Sequence, residues 1–230
     1  MTQTGERTLR RVYVETLIKA TVDDVWRHTQ EPVMHARWDG RFGKISYLPA
    51  TQPQRFRYAT FGVAGIGITT GERIRSDGGG TSSLSFFSAN PLSPIRSGSG
   101  YWRYVPTPAG VIFLTGYDYR AGWGRAGDLV VRPLMGWLTA WSFDRLRLWL
   151  ETGTRPEHSR NQALVEVAAR AGLVLAAGTL GGAAAALAAA VVAIVPPLPG
   201  TPAARRCRRT PQDRASYSSS LVTDDRLGLP

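Results

Sequence analysis

From Ala171 to Val195 the chain carries no charged side chain over 25 residues, and Pro196-Pro197 closes the run. As one α-helix this stretch would be about 37 Å long, enough to cross a hydrocarbon core of ~30 Å. A soluble helix that is apolar on every side needs complete burial, and a chain of this size has little surface to provide it. The sequence therefore predicts a single transmembrane helix at 171–195, with a helix packed on the globular part as the alternative. Alanine dominates the run, and Gly172, Gly178, Gly181 and Gly182 interrupt it, which makes it a weaker span than a leucine-rich one. Gly178-x-x-x-Gly182 permits close helix pairing and hence a weak homodimer. The polar stretch Met1–Arg11 has no apolar signal region behind it, which keeps the preceding domain in the cytoplasm. Arg205-Arg206-Cys207-Arg208-Arg209 favours a cytoplasmic tail as well. A single span cannot satisfy both. A re-entrant hairpin turning at Gly178–Gly182 would, although arms of about 13–15 residues are short for a full crossing. The preferred reading is a single-pass protein of the cell membrane with its N-terminal domain inside.

The rest of the 230 residues reads as globular, with 43% apolar and 10% aromatic residues overall. A lone cysteine excludes a disulfide framework and a thiolate metal cluster. Three histidines, none paired with another at i,i+4, argue against a histidine metal site, so neither metal nor cofactor is expected. The net charge of +11 is mostly arginine, only Lys19 and Lys44 being lysine. Those arginines are interspersed with acids and form no dense stripe, which argues against nucleic acid as a partner. Composition divides the chain into a flexible N-terminus (1–9), a globular domain (10–152), a linker (153–170), the apolar run (171–195) and a disordered basic tail (196–230). Cys207 sits among four arginines that would favour its thiolate, although a bystander role is the plainer reading.

Within the globular part, Val12, Val14 and Ile18 alternate with Tyr13, Glu15 and Lys19, the period of a strand. Thr21 can cap a short helix through His28, and Pro32 opens another ending near Trp38. Strand-like pieces follow at about 43–48, 54–61, 66–75, 82–88, 99–105 and 111–119, separated by Gly/Pro/Asn turn signals. A long helix covers roughly 129–151, with Pro133 suited to a first turn and Gly153 to a stop.

This order of elements resembles the helix-grip fold of the START/Bet v 1-like (SRPBCC, polyketide cyclase/dehydrase-like) superfamily. The segments that carry the resemblance are VYVETLIKATVDDVW (12–26), HARWDGRF (35–42), GSGYWRYVPT (98–107), TGYDYRAGWG (115–124) and RPLMGWLTAWSFDRLRLWLE (132–151), which look like a bacterial branch of it. The resemblance implies an α+β domain in which a curved seven-stranded antiparallel sheet grips the long C-terminal helix around an apolar cavity. It implies no single reaction, because members include carriers, cyclases and hydrolases.

Strand periodicity places Ile66, Ile68, Thr70, Glu72 and Ile74 on one face, with Glu72 inward among apolar neighbours. There it would be an acid/base or ligand-anchoring carboxylate partnered by Arg103 or Tyr104; alternatively it is a solvated or salt-bridged residue at the cavity mouth. Phe56, Tyr58, Phe86, Trp102, Tyr104, Phe113 and Tyr117 on the strands, with Trp137 and Trp141 on the helix, would line an apolar pocket or simply pack the core. Gly65, Gly67 and Gly71 do not match the dinucleotide fingerprint and read as edge or bulge glycines. Ala121–Gly127 reads as a connecting loop or as a gate over the cavity. Three functions follow: a membrane-anchored binder of a hydrophobic small molecule or lipid, a polyketide cyclase or aromatase-like enzyme using Glu72 with Tyr104 or Arg103, and a protein-interaction module whose cavity is only core. The missing acid/base pair favours the binder.

Overall fold

The computed structural model describes residues 11–49, 51–60 and 62–211. Strand β1 (Val12–Ile18) leads into α1 (Val22–Gln30), whose first turn is capped by Thr21 as expected; the Thr21 Oγ1 accepts the Asp24 N–H at 3.1 Å. Helix α2 (Pro32–Trp38) begins on its proline, where the missing N–H costs no helical hydrogen bond. Six strands follow: β2 (Lys44–Tyr47), β3 (Arg55–Thr60), β4 (Val63–Ile74), β5 (Gly80–Phe87), β6 (Ile95–Thr107) and β7 (Gly110–Ala121). They form one antiparallel sheet in the order β1-β7-β6-β5-β4-β3-β2. The long helix α3 (Gly124–Thr152) packs across β1 and β7 and ends at Gly153. This is the expected α+β helix-grip arrangement. It departs from expectation at the start of α3. Gly124–Gly127 is the first turn of the helix rather than a loop or gate, and Pro133 lies well inside it.

The core lies between α3, α1, α2 and the inner face of β1, β6 and β7. Trp38, Phe113 and Phe143 are fully buried, and Tyr104 nearly so. The Phe113 and Phe143 rings stack at 4.5 Å between centroids, and the Trp38 Nε1–H donates to the His28 carbonyl at 2.8 Å. Trp102 and Phe113, expected to line a pocket or to pack the core, are packed core, and so is Tyr104, also named as cavity lining.

The apolar run is not one helix. Helix α4 (Pro156–Gly178) and helix α5 (Gly182–Ile194) form an antiparallel hairpin, and among the described residues no helix is long and apolar enough to cross a membrane. The chain reverses at Thr179–Gly181, where Gly181 adopts φ 121°, a conformation L side chains rarely take. Gly178 and Gly182 flank this turn on different helices, so the single-helix face needed for Gly-x-x-x-Gly pairing is not formed. The linker expected at 153–170 is mostly the first half of α4.

The tail expected to be disordered from 196 packs tightly through its first part. Thr201–Ala204 and Cys207 are buried, Ala204 opens a short 3-10 turn, and Arg208 pairs with Glu15 on the free edge of β1 through two 2.9 Å backbone bonds. Residues 212–230 lie outside the described part. Asp144 on α3, fully buried, accepts from the Ala203 N–H (2.8 Å), Arg206 Nη1 (2.9 Å) and Arg147 Nε (2.7 Å). Burial pushes the Cys207 thiol up to about 12, with the Asp144 charge adding to it, and its S–H points at the Ala140 carbonyl. The surrounding arginines do not reverse this, so Cys207 is not the available thiolate its neighbours suggested. A thiol reagent at pH 8 should leave the folded protein unlabelled and modify Cys207 only in denaturant; rapid labelling of native protein would show the thiol to be accessible.

Candidate functional site

The inner face of the sheet is covered unequally. Over β1, β6 and β7 the helices exclude water. Toward β2–β5 the rings of Phe56, Tyr58 and Phe86 are only half-buried, and Tyr47 is 46% exposed. Their arrangement follows from the register. Across this face the pairing runs Tyr47–Phe56–Gly67–Phe86–Gly98 in one row and Ile45–Tyr58–Gly65 in the next. A Cβ at Gly67 would run into the Phe56 ring, one at Gly65 into the Tyr58 ring, and one at Gly98 into the Phe86 ring. The glycines let the rings lie flat on the neighbouring strand, so this half of the concave face is an aromatic floor. Burial pushes the Tyr58 phenol up to about 12, keeping it neutral.

A buried ionic cluster stands beside the floor. Asp39, which follows α2, accepts the backbone N–H and Nε of Arg41 at 3.0 and 2.9 Å on one oxygen. Its other oxygen accepts Arg41 Nη2 at 2.6 Å and faces His35 Nε2 at 3.0 Å. Burial acts to raise the Asp39 carboxyl, but the Arg41 charge and these hydrogen bonds outweigh it and hold the group below the usual carboxylate range. His35 is depressed by burial, only partly offset by Asp39, and sits edge-on or stacked against Trp38, Phe42 and Trp102 at 4.8–5.1 Å. The Arg41 guanidinium lies 5.6 Å from the Tyr117 ring and 5.5 Å from the Phe42 ring, and Phe42 meets Tyr58 edge-on at 5.5 Å. Tyr117 exchanges a 3.0 Å hydrogen bond with Thr139 of α3. Asp39 thus fixes a guanidinium at the inner end of the aromatic floor.

Glu72 lies at the outer end. The sheet register shifts between Thr69 and Gly71, and beyond this bulge Glu72 pairs through Ser82 to Trp102 on the inner face. Ile66 and Ile68, before the bulge, pair with Phe87 and Ser85 on the opposite face. The expected common face of Ile66, Ile68 and Glu72 is therefore not formed. Glu72 is exposed at the mouth of the concavity, where its charge helps burial to raise the Tyr47 and Tyr104 phenols. Tyr104 is no partner for it in the sense proposed: its hydroxyl is buried between Thr29 Oγ1 (2.6 Å) and Gln30 Nε2 (2.9 Å). Arg103, adjacent on the strand, points to the other face, beside Arg73, Arg75 and Thr81 around a depression of about 450 Å³. A second depression, of about 530 Å³, crosses β4–β7 at Ile68, Phe87, Ser99 and Arg120. Neither is lined by a residue of α3.

Of the residues singled out from sequence, Tyr58 and Phe86 form the floor, Tyr117 contacts Arg41, and Glu72 marks the mouth. Trp137 is 46% exposed and stacks on Trp141, which is covered by Arg145 at 4.7 Å. Phe56 was among the strand aromatics expected to line a pocket, whereas Phe42, His35, Asp39 and Arg41 were missed as site residues. The available signals were His35–Asp39 at i,i+4 across the end of a short helix, and Phe-x-Tyr opposite Gly-x-Gly on adjacent strands. Among the described residues no group of three or more His, Cys, Asp or Glu side chains is placed to hold a metal ion.

No family model matches the chain. A Bacillus subtilis (strain 168) protein described as uncharacterized membrane protein YndG is 43% identical over 168 residues, covering 68% of this chain and 63% of that protein. The chain thus spans less than two thirds of that relative's length. Among solved structures, Bacillus halodurans protein BH1534 is 19% identical and aligns over 62% of this chain and 98% of its own, with a TM-score of 0.46. DynU16, a putative protein in the dynemicin biosynthetic locus, is 22% identical over 64% of this chain and 49% of its own, also with a TM-score of 0.46. The di-domain ARO/CYC StfQ from the steffimycin biosynthetic pathway is 13% identical over 61% and 50%, again at 0.46.

Proposed function

We propose that the chain is a membrane-associated binding module for a hydrophobic small molecule or lipid, taken up against the aromatic floor of β2–β6. The observation that carries this reading is the alternation of rings and glycines on an inner face that the helices leave half open. A floor of flat rings offers apolar area to a ligand without rearrangement, and Arg41 supplies an ionised handle at its inner end. The membrane part draws on the exposed apolar hairpin and on the description of YndG as a membrane protein. An enzyme of the cyclase or aromatase type is the second reading, because Glu72 does reach the inner face. It is less favoured: Arg103 lies on the other face, and the Tyr104 hydroxyl is occupied by Thr29 and Gln30.

Native mass spectrometry of the purified full-length protein, followed by solvent extraction, should recover a co-purifying apolar compound. Phe56→Ala should weaken binding of anilinonaphthalene sulfonate about threefold to tenfold, the size of a lost aromatic contact. Gly67→Ala, which forces the same ring upward, should weaken it in the same direction. Arg103→Ala should leave it unchanged. Wild-type affinity in both floor variants would remove β3–β4 from the site.

A further inference from the structure

We infer that the α4–α5 hairpin is a monotopic anchor that inserts its turn into one leaflet of a bilayer and returns, leaving the sheet domain and residues 201–211 on the same side of the membrane. This rests on the membrane part of the proposed function and replaces a span with a topology. Helix α5 has no buried residue, and Leu173, Leu175, Leu180, Leu187 and Ile194 are each more than half exposed. Hydrocarbon, rather than a protein groove, is the occupant that fits the apolar surface of α5 and of α4 beyond Arg170.

The charges define where insertion stops. Glu166 and Arg170 pair on α4, and Arg170 reaches across to donate to the carbonyls of Val192 (2.7 Å), Val195 (2.9 Å) and Pro196 (3.0 Å) at the end of α5. Glu166 accepts the Leu198 N–H in return at 3.2 Å. One ion pair thus closes the base of both arms at a common level and satisfies the carbonyls a helix end leaves open. Beyond Arg170, no side chain on either arm is charged. From Arg170 to the turn is about 14 Å of helix, and α5 is about 20 Å long, against a hydrocarbon core of ~30 Å. That depth is one leaflet. At the turn, the N–H groups of Thr179, Leu180 and Gly181 return to the carbonyls of Ala176, Ala177 and Gly178, which pairs these three donors within the chain. Helix α5 has no side-chain cap, and the N–H groups of its first turn are the polar load that opposes deeper insertion. The topology also resolves a conflict in the sequence: the arginines at 205–209 and the N-terminal domain can both face the same compartment.

The test uses the full chain and vesicles of phosphatidylcholine and phosphatidylglycerol. Buried Cys207 leaves a surface cysteine as the site of labelling, so a bimane on the Leu180→Cys variant reports the tip and one on Leu164→Cys reports the base. Expected are flotation with preformed vesicles, quenching of the tip label by nitroxides deep in the acyl chains and not by aqueous iodide, and the reverse order for the base label. In sealed cell-derived membranes, tags at the two ends should be cleaved by protease from the same side. Leu187→Arg, at an exposed site where folding is not at stake, should lower vesicle partitioning about tenfold or more. Cleavage of the two tags from opposite sides would replace the hairpin by a span. A soluble dimer that does not float would make a second copy the occupant of these faces. Retained dye binding in either case would leave the ligand site standing, and loss of dye binding with intact flotation would sink the ligand site alone.

Discussion

Asp39→Ala should unfold at markedly lower urea concentration than the wild type, with a loss of about 3–5 kcal/mol at pH 7, the usual cost of stranding one partner of a buried ion pair. The carboxylate is 1% exposed and accepts two hydrogen bonds from the Arg41 guanidinium; removing it leaves a buried cation against Tyr117 and Phe42. Arg41→Met in the same background should recover much of the loss, because it removes the stranded charge. Equal stability of the single and double variants would show that Arg41 finds solvent on its own. Acid offers a second readout. A carboxyl depressed in the folded state contributes stability above its unfolded value of ~3.9, and this is lost as the pH falls toward the folded value. Wild-type stability should therefore drop more steeply than that of Asp39→Ala between about pH 4 and pH 2. Parallel curves would remove the ion pair as the acid-sensitive element.

Local rules made most of the sheet domain legible. The period-2 alternation at Val12–Ile18, the capping Thr21 and the stop at Gly153 each act within a few residues, and each appears in the structure where the sequence puts it. Errors arose where one residue changes the phase of everything after it. The bulge between Thr69 and Gly71 moves Glu72 to the face opposite Ile66 and Ile68, and nothing in the alternation itself records that an extra residue is present. The preferred single span over 171–195 failed for a related reason, although the alternative of a hairpin put the reversal at Gly178–Gly182, where the chain does turn. Hydropathy sums are blind to chain reversal, and the sign that two helices rather than one were intended lay in Gly181, whose φ a continuous helix does not use.

The site was legible only in part, because half of its logic is pairwise across strands. Phe56 and Tyr58 announce themselves as aromatics, but the reason they lie flat is Gly67 and Gly65 on the next strand, and register cannot be read from either strand alone. His35, Asp39 and Arg41 sit at the end of a short helix, with no local pattern that marks them as buried. Their burial comes with Trp38, Phe42 and Trp102 packing on His35 and Phe42 and Tyr117 on Arg41, a consequence of tertiary packing rather than of local pattern.

Truncation after residue 195 should destabilise the sheet domain by a further amount of the same order, about 3–5 kcal/mol, whereas truncation after 211 should not. Asp144 is fully buried and would keep Arg147 while losing the Ala203 N–H and Arg206. Ala203, Ala204 and Cys207 would leave the space between α3 and β1, and Glu15 would lose both backbone bonds to Arg208, reopening the free edge of the sheet. Both truncated chains keep α4 and α5, but the shorter one also loses the Pro196 carbonyl and the Leu198 N–H that Arg170 and Glu166 hold at the base of the hairpin, so urea melts in the same detergent report the strap together with that clasp. Arg206→Ala in the full chain should reproduce part of the loss, since it strips one partner from Asp144 and three bonds to the carbonyls of Pro197, Leu198 and Thr201. If the chain ending at 195 melts with the wild type, the buried contacts of 201–208 contribute no net stability, and the helix-grip domain is complete without them. If it melts early, the hairpin and the strap act together: α4 leaves the domain at Arg145 and Pro156, residues 201–208 re-enter it at Asp144, and the apolar arms are held between two fixed points on one helix.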